Sequence, residues 1–236
     1  MARQLEGLTA IVTGASKGIG REIVRKLLLQ GMNVVAVARG ELGLERLQEE
    51  MGAGKQLLAV ACDIRDALEV ERLFEVATDE FGRIEVLINN AGVGTFGSIE
   101  DTDLADVDDM VDTNLKAMYY CCKTAFTHMK KRGGGQLVNI AAVLGLEAIA
   151  QAAAFCMTKF GVIGLSESLR REGQSHGIRV SVVAPGLTQT DFGDRPATDK
   201  PDGLKPESVA EAVWGLLTQN EEVKGATSVL RHEERD

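Results

Sequence analysis

The stretch Thr9-Ala10-Ile11-Val12-Thr13-Gly14-Ala15-Ser16-Lys17-Gly18-Ile19-Gly20 decides the fold of this chain. A short β-branched run ends at the first glycine, and a helical pattern begins at the last two. Glycines at such a junction permit a tight turn and a close approach of backbone amides to a pyrophosphate. Turn glycines without a ligand would give the same pattern. The residues expected to face a ligand here are Gly14, Ser16, Lys17, Gly18, Ile19 and Gly20.

Short apolar runs alternate with helical patterns along the rest of the chain. This rhythm implies right-handed crossovers and a parallel sheet, and runs that are apolar almost throughout imply helices on both faces. We therefore predict a doubly wound, seven-stranded parallel sheet in a three-layer αβα sandwich of the Rossmann type. The predicted strands are Thr9–Thr13, Val34–Ala38, Leu57–Ala61, Val86–Asn89, Leu137–Ile140, Val180–Ala184 and Thr227–Leu230.

Helical periodicity fills the segments between these strands. The predicted helices are Ile19–Gln30, Glu41–Met51, Ala67–Phe81, Asp106–Arg132, Ala153–Ser175 and Pro206–Thr218. The long irregular stretch Gly186–Lys205 is rich in proline, glycine and aspartate, and we expect it to be a mobile loop beside a ligand. No linker or repeat interrupts the pattern, so residues 1–236 are expected to form one nucleotide-binding domain.

The composition limits the classes of partner. A formal net charge of −9 argues against a nucleic-acid surface, which needs a basic stripe to displace counterions from phosphates. No apolar run reaches the length of a membrane span and no signal peptide is evident, so we expect a cytoplasmic protein. The four cysteines have no CxxC spacing and fit small buried thiols in a reducing compartment. No cluster of residues with metal-ligand spacing is evident.

The second predicted strand ends at Ala38-Arg39, and no carboxylate follows until Glu41. An acidic residue at this point would bind the ribose hydroxyls of NAD, whereas an arginine can bind a 2′-phosphate in a bidentate manner. Lys17 in the glycine loop would add a second cation to the same group. The two residues therefore favour NADP(H), although both could also be solvated surface charges.

Further motifs follow in a fixed order. Asn89-Asn90-Ala91-Gly92 ends the fourth strand, Asn114 lies in a helical segment, and Pro185-Gly186-Leu187-Thr188-Gln189-Thr190 follows the sixth strand. Together with the TGxxxGIG turn, these motifs resemble the short-chain dehydrogenase/reductases over residues 8 to 192. The resemblance is closest to NADP(H)-dependent carbonyl and 3-oxoacyl reductases, which act on a small-molecule carbonyl or alcohol.

The resemblance implies a role for each matching residue. Asn90, Ala91 and Gly92 would brace the sheet and lie against the cofactor, and Asp63 with Ile64 would contact the adenine; Asp63 could instead be an ordinary helix cap. Asn114 would hold a water in a proton relay, and Lys159 would bind the nicotinamide ribose. The residues implied to grip the nicotinamide carboxamide are Pro185, Gly186, Thr188 and Thr190.

The family's proton donor is a tyrosine four residues before this lysine, with a serine thirteen residues before the tyrosine. The ammonium lowers the pKa of the phenol from about 10, and the serine polarises the carbonyl. In this chain the tyrosine position is Phe155 and the serine position is Ala142. Gly145, three residues later, matches the family's glycine, so a shifted alignment does not recover a serine. Each change deletes one oxygen, as an engineered knockout or a natural pseudoenzyme would, so ketone reduction by the usual route is expected to be weak or absent.

Three functions remain open at this stage. The first is a reductase scaffold that is silenced or altered but still binds NADP(H), and the second is a nucleotide-binding sensor. The third is Schiff-base chemistry on carbonyls by the amine of Lys159, if it loses solvation beside Phe155 and Ala142. Glu147 and Gln151 could face the pocket, or lie at its solvated rim. Family members pair through two long helices, so a homodimer or homotetramer is expected.

Overall fold

The fold is built on one sheet of seven parallel strands in the order β3-β2-β1-β4-β5-β6-β7. The computed structural model describes residues 4–52, 54–193, 195–220, 222 and 225–232. Its strands are β1 (Thr9–Thr13), β2 (Asn33–Ala38), β3 (Leu57–Ala61), β4 (Val86–Asn89), β5 (Gly135–Ile140), β6 (Ile178–Pro185) and β7 (Thr227–Leu230).

Helices cover both faces of this sheet. One face carries α3, α5 and α6, and the other carries α1, α2 and α7. Their bounds are α1 (Gly18–Leu29), α2 (Glu41–Met51), α3 (Ala67–Phe81), α4 (Leu104–Val111), α5 (Met118–Arg132), α6 (Ala153–Gly173) and α7 (Pro206–Thr218). Among the residues described, no helix is both long enough and apolar enough to cross a membrane.

The central strand β1 shows why the sheet needs two covering layers. All five of its residues are buried. Because side chains alternate along a strand, Ile11 packs with the α3, α5 and α6 layer, whereas Ala10 and Val12 pack with the α1, α2 and α7 layer. A strand that is buried on both faces is stable only between two such layers.

The predicted doubly wound parallel sheet with helices on both sides is confirmed. The helix predicted over Asp106–Arg132 is present and begins two residues earlier, and a π-helical turn at Asp112–Ala117 separates α4 from α5. The helix predicted over Ala153–Ser175 ends at Gly173 and continues as a 3-10 turn. The proposed domain also includes residues 1–3 and 233–236, which lie outside the described residues.

Arg179 ties β6 to the end of α7. This buried guanidinium donates hydrogen bonds to Gln136 Oε1 at 2.6 Å, Leu217 O at 3.2 Å and Gln219 O at 3.1 Å. The last carbonyls of a helix have no partner within the helix and favour a nearby cation. Since α7 has no basic residue in its own last turn, Arg179 supplies that cation from the sheet.

Replacing this arginine tests its contribution. Arg179→Met removes the cation and its hydrogen bonds to the buried Gln136 Oε1, Leu217 O and Gln219 O, so we expect a loss of about 2–3 kcal/mol in the free energy of unfolding. Urea unfolding followed by circular dichroism measures this. The exposed Arg72 on α3 provides the control, where Arg72→Met is expected to change stability by less than about 0.5 kcal/mol. Equal effects of the two changes would contradict the prediction.

Candidate active site

A cleft of about 1260 Å³ opens at the carboxyl ends of the strands. It lies over β1 and β4, where the strand order reverses direction, which is where open α/β sheets bind ligands. Two predicted site residues do not line it: Gly20 packs inside the fold, and Asn114 is buried beneath the cleft. Those that line it are Gly14, Ser16, Lys17, Gly18, Ile19, Arg39, Asp63, Ile64, Asn90, Ala91, Gly92, Ala142, Phe155, Lys159, Pro185, Gly186, Thr188 and Thr190.

The glycine loop between β1 and α1 is shaped by three glycines. Gly14 and Gly18 have φ values of +64° and +55°, which other residues rarely adopt. At Gly20 a Cβ would lie 2.1 Å from the carbonyl oxygen of Gly14, so only glycine lets α1 approach the loop this closely. The first turn of α1 contains no acidic side chain, so its amides remain available to an anion.

Asn90 fastens this loop to the end of β4. Its side-chain Nδ2 donates to the carbonyl oxygens of Thr13 and Gly14, at 3.0 and 3.1 Å. In return, Thr13 Oγ1 accepts hydrogen bonds from the backbone amides of Asn90 and Ala91, each at 3.1 Å. Four hydrogen bonds thus hold the glycine loop against the floor of the cleft.

The carboxylate of Asp63 is engaged by a residue that the sequence analysis missed. Arg65 donates to it from Nε at 3.0 Å and from Nη2 at 2.6 Å, and reaches Asp109 of α4 at 2.9 Å. The hydrogen bond from Arg65 keeps the pKa of Asp63 below its ordinary value. The cap of α3 is Asp66, which accepts from Leu68 N, so the alternative reading of Asp63 as that cap is wrong.

Asn114 lies in the π-helical turn, fully buried. Its side chain accepts from Val93 N and donates to Val93 O, both at 2.9 Å, and also donates to Thr158 Oγ1 at 3.1 Å. π-Helical turns are rare in proteins overall, and those that occur often lie at functional sites. The turn directs this amide toward the loop after β4 and fixes the loop that carries Gly92 and Val93.

Lys159 lies on α6 and is only 5% exposed. Its ammonium donates to Ile140 O at 3.2 Å and lies 5.6 Å from the centre of the Phe155 ring. Burial lowers the pKa of Lys159 from 10.5 to about 8. Gly145 allows this placement, since a Cβ there would lie 2.6 Å from the carbonyl oxygen of Lys159.

Three phenylalanine rings close the end of the cleft beside Lys159. The Phe155 ring is buried, 5.2 Å from the centre of the Phe96 ring and 5.8 Å from that of Phe192. Separations of this size are favourable for tilted aromatic pairs. We call Phe96, Phe155 and Phe192 the aromatic seal. Ala142 lines the same cleft in extended backbone just before a 3-10 turn.

The stretch predicted to be a mobile loop has internal hydrogen bonds, and Asp194 within it lies outside the described residues. Leu204 N donates to Leu187 O at 2.8 Å, and Gln189 N donates to Leu204 O at 2.9 Å. The buried ammonium of Lys200 donates to three carbonyls of the segment. Several of its described residues line the cleft, as expected.

Glu147 and Gln151, which the sequence suggested could face the pocket, have different positions. Glu147 is exposed, pairs with Arg231 at 2.6 Å and does not line the cleft, whereas Gln151 does line it. Gln151 has a φ of +61° and its carbonyl accepts from Gly97 N at 2.9 Å. Among the described residues, no group of three or more histidines, cysteines or acidic residues could hold a metal ion.

The sequence analysis did not identify Arg65, Phe96, Phe192 or Lys200. The sequence carried a signal for the two phenylalanines. Each lies within two residues of a glycine that packs against a ring of the aromatic seal. A Cβ at Gly94 would lie 2.7 Å from the Phe192 ring, and one at Gly193 would lie 2.7 Å from the Phe96 ring. Arg65 and Lys200 gave no signal, because each lies in a polar stretch where solvent exposure is the ordinary expectation.

Comparisons with known proteins agree with this geometry. Residues 8–200 match the family model described as short chain dehydrogenase. The D-threitol dehydrogenase of Mycolicibacterium smegmatis is 35% identical over 201 residues, which are 85% of this chain and 77% of that protein. The 3-oxoacyl-acyl-carrier-protein reductase FabG of Salmonella typhimurium is 34% identical over 230 residues, which are 97% of this chain and 91% of that protein.

A third relative, the FabG reductase of Staphylococcus aureus strain N315, is 34% identical over 224 residues, which are 94% of this chain and 89% of that protein. The family match covers every strand except β7 and the whole cleft up to Lys200. The sheet order and the cleft at the β1/β4 reversal are those of a Rossmann-type α/β fold. This chain therefore belongs to the short-chain dehydrogenase family.

Proposed function

We propose that this chain binds NADP(H) together with a small carbonyl or alcohol and that its hydride-transfer chemistry is impaired because the proton donor is missing. One observation carries the proposal. At the position where the family places its tyrosine, the buried Phe155 packs between Phe96 and Phe192, while Lys159 remains one turn later. Phenylalanine has no proton to give, and Ala142 offers no hydroxyl to a carbonyl.

The shape of the cleft supports a dinucleotide. Its volume of about 1260 Å³ exceeds the roughly 300–1,000 Å³ of sites for drug-sized ligands. Its floor is backbone at Gly14, Gly18 and Gly92, and a Cβ at Gly92 would lie 3.2 Å from Asn114 Oδ1 and 3.6 Å from Lys159 Nζ. A bound nicotinamide cofactor supplies a hydride to a carbonyl, or accepts one from an alcohol.

The cations at one end of the cleft support the phosphorylated cofactor. Lys17 and Arg39 both line the cleft, and no ion pair joins either of them to a carboxylate among the described residues. The acidic residue that would bind the ribose hydroxyls of NAD is absent at Ala38. Two cations at the cleft, neither within salt-bridge distance of a carboxylate among the described residues, favour a 2′-phosphate over a hydroxyl.

The remaining residues retain the groups that would position the cofactor. Lys159 would orient the ribose, and Thr188 and Thr190 would hold the nicotinamide end. Asn114 fixes the loop after β4 through Val93. What is missing is a group that donates a proton to the developing alkoxide, a contribution worth about 10²–10⁴ in rate. A site that positions without donating would serve a nucleotide-binding sensor equally well, and that role remains the alternative if no substrate turns over.

The amine of Lys159 supports a second candidate function. Its pKa of about 8 makes the neutral amine available near physiological pH, and it lines the cleft where a carbonyl ligand would lie. The amine would attack the carbonyl carbon, and loss of water would leave an imine. Because Lys159 would also bind the ribose, this chemistry and cofactor binding compete for one side chain.

Self-association through the helices beside the site is part of the same proposal. Tyr119 on α5 and Met157 and Phe160 on α6 are half exposed, although each is large and apolar. The close approach that Gly161 permits is internal, because a Cβ there would lie 2.7 Å from Leu115, while a Cβ at Gly164 would meet nothing within 4 Å. A dimer or tetramer that covers these side chains would remove apolar surface from water.

The first prediction concerns cofactor choice. The unmodified chain is expected to bind NADPH at least about tenfold more tightly than NADH, since charge-assisted hydrogen bonds to the 2′-phosphate contribute about 1.5–3 kcal/mol. Arg39→Asp should narrow or reverse this ratio. Isothermal titration calorimetry measures both constants. Arg72→Asp, at an exposed position outside the cleft, should leave the ratio unchanged, and tighter NADH binding by the unmodified chain would overturn the NADP(H) assignment.

The second prediction concerns the missing oxygens. Phe155→Tyr combined with Ala142→Ser is expected to raise NADPH-dependent reduction of at least one ketone or aldehyde by about 10² or more, since one recovered general acid contributes that much. Each single change should recover less than the pair, because both hydroxyls act on the same oxygen. The measurement is NADPH oxidation across aliphatic, aromatic and β-keto substrates.

The control for this restoration is binding. NADPH affinity should stay within about threefold in all four proteins, so that a gain in rate reports chemistry and not occupancy. If the double variant binds NADPH and gains nothing on any substrate, the defect lies elsewhere and the proposal of a silenced carbonyl reductase is wrong.

The third prediction concerns the lowered pKa of Lys159. Each sample is treated with butanal, reduced with borohydride and digested, and labelling of Lys159 is compared with that of the exposed Lys130. Neutral amine at Lys159 is present above about pH 8, whereas exposed lysines have a pKa of about 10.4. The ratio of the two labels is therefore expected to be highest below about pH 8 and to fall steadily from pH 8 toward pH 10.5. A ratio that does not change with pH would refute Schiff-base chemistry at Lys159.

A further inference from the structure

The segment from Thr190 to Lys200 borders the end of the cleft that holds Lys159 and Ala142. Within it, Lys200 is only 4% exposed. Its ammonium donates to the carbonyl oxygens of Thr190 at 2.7 Å, Phe192 at 2.9 Å and Arg195 at 3.0 Å. An ammonium has three protons to donate, and all three are used on backbone.

Burying the Lys200 ammonium costs free energy, and this cost indicates that the buried cation has a structural role. A buried lysine loses the solvation of its charge, and burial is the main reason that the pKa of Lys200 lies below its ordinary value. Asp191 and Asp199 favour the charged form to a smaller degree, and Arg195 opposes it. Three carbonyls meet at the ammonium, so a neutral side chain would remove the donor from the carbonyls of Phe192 and Arg195 and one of two donors from that of Thr190.

Two of these three carbonyls belong to residues of the site. Thr190 lines the cleft against the glycine loop, where a Cβ at Gly18 would lie 3.1 Å from its Cγ2. Phe192 belongs to the aromatic seal, with its ring centre 5.8 Å from that of Phe155. Phe192 N also donates to Thr190 O at 3.0 Å, so Lys200 and this amide share one acceptor. Lys200 thereby fixes Thr190 and Phe192 relative to each other.

The opposite side of the seal is shaped to receive that ring. At Gly94 a Cβ would lie 2.7 Å from Phe192 and 3.1 Å from Phe155. At Gly193, with a φ of +68°, a Cβ would lie 2.7 Å from Phe96. Both segments therefore have a glycine where the rings are in contact. A seal this close requires the Phe192 backbone to stay where Lys200 holds it.

We infer that Lys200 is a positioning residue that holds Phe192 against Phe155 and Thr190 against the glycine loop, and so encloses the nicotinamide end of the bound cofactor. The inference rests on the proposed function for the identity of the ligand. Its geometric part, the placement of Phe192 by Lys200, does not depend on any ligand. The two parts are therefore tested separately.

The geometric part is tested without nucleotide. Chymotrypsin cleaves after phenylalanine, and a half-buried Phe192 in a fixed loop is a poor substrate. Lys200→Met is expected to raise the rate of cleavage after Phe192 by about tenfold or more, because the segment loses the three hydrogen bonds that Lys200 donates. Lys205→Met is the matched control, at an exposed lysine five residues further along. Cleavage at equal rates in the two variants would refute the inference, whether or not the chain binds NADPH.

The ligand part is tested with two probes that share the adenosine end. NADPH carries a nicotinamide, and adenosine 2′,5′-bisphosphate does not. Lys200→Met is expected to weaken NADPH binding about tenfold and to raise acrylamide quenching of bound NADPH fluorescence, while changing the affinity for the bisphosphate less than about twofold. Equal losses for both probes would mean a general folding role and would overturn the inference.

A second variant keeps the test independent of the stability of the first. Phe192→Ala leaves Lys200 and Thr190 in place and removes only the ring. It is expected to raise acrylamide quenching as Lys200→Met does, with a smaller loss of NADPH affinity. Unchanged quenching in Phe192→Ala would show that the ring does not enclose the cofactor and would also overturn the inference. If neither probe binds the unmodified chain, the proposed function fails and the chymotrypsin result still decides the role of Lys200.

Discussion

The close approach between the end of β1 and the end of β4 is the constraint on which the site depends. Asn90 spans the gap with hydrogen bonds to Thr13 O and Gly14 O, and Gly20 lets α1 lie against the same turn. The glycine loop, the start of α1 and the floor of the cleft are therefore one rigid unit. A larger residue at Gly20 or a shorter side chain at Asn90 would move all three together.

Patterns that act over short distances along the chain were visible in the sequence. The β1 run and the glycines after it need only their neighbours, so the strand, the turn and the cleft above them could be predicted. Other features depend on partners far away. The composition of the segment gives no sign of the π-helical turn, and only folding adds Asp109, 44 residues further on, to the local partner Asp63 of Arg65. Lys200 stands in a polar stretch, and nothing local distinguishes a buried lysine from a solvated one.

Lys159 shows how much of its chemistry comes from its surroundings. The only described hydrogen-bond acceptor of its ammonium is Ile140 O, and its nearest aromatic neighbour is Phe155. A carbonyl dipole and a ring face stabilise a cation less than a carboxylate does, so burial dominates and lowers the pKa to about 8. The same position in a more polar pocket would keep its proton to much higher pH. The apolar lining of the cleft therefore sets the charge state of the lysine as well as the shape of the site.

A regular α-helix at Asp112–Ala117 would be incompatible with the observed geometry of the site. The π-helical turn there contains one residue more than a regular helix, and its backbone hydrogen bonds are less favourable. Deleting one residue there would give a smoother and intrinsically more stable helix, but would rotate everything on one side of the deletion by about 100° relative to the other. Asn114 could then no longer meet Val93 and Thr158 together. The chain therefore gives up some helical stability to keep one buried amide correctly oriented.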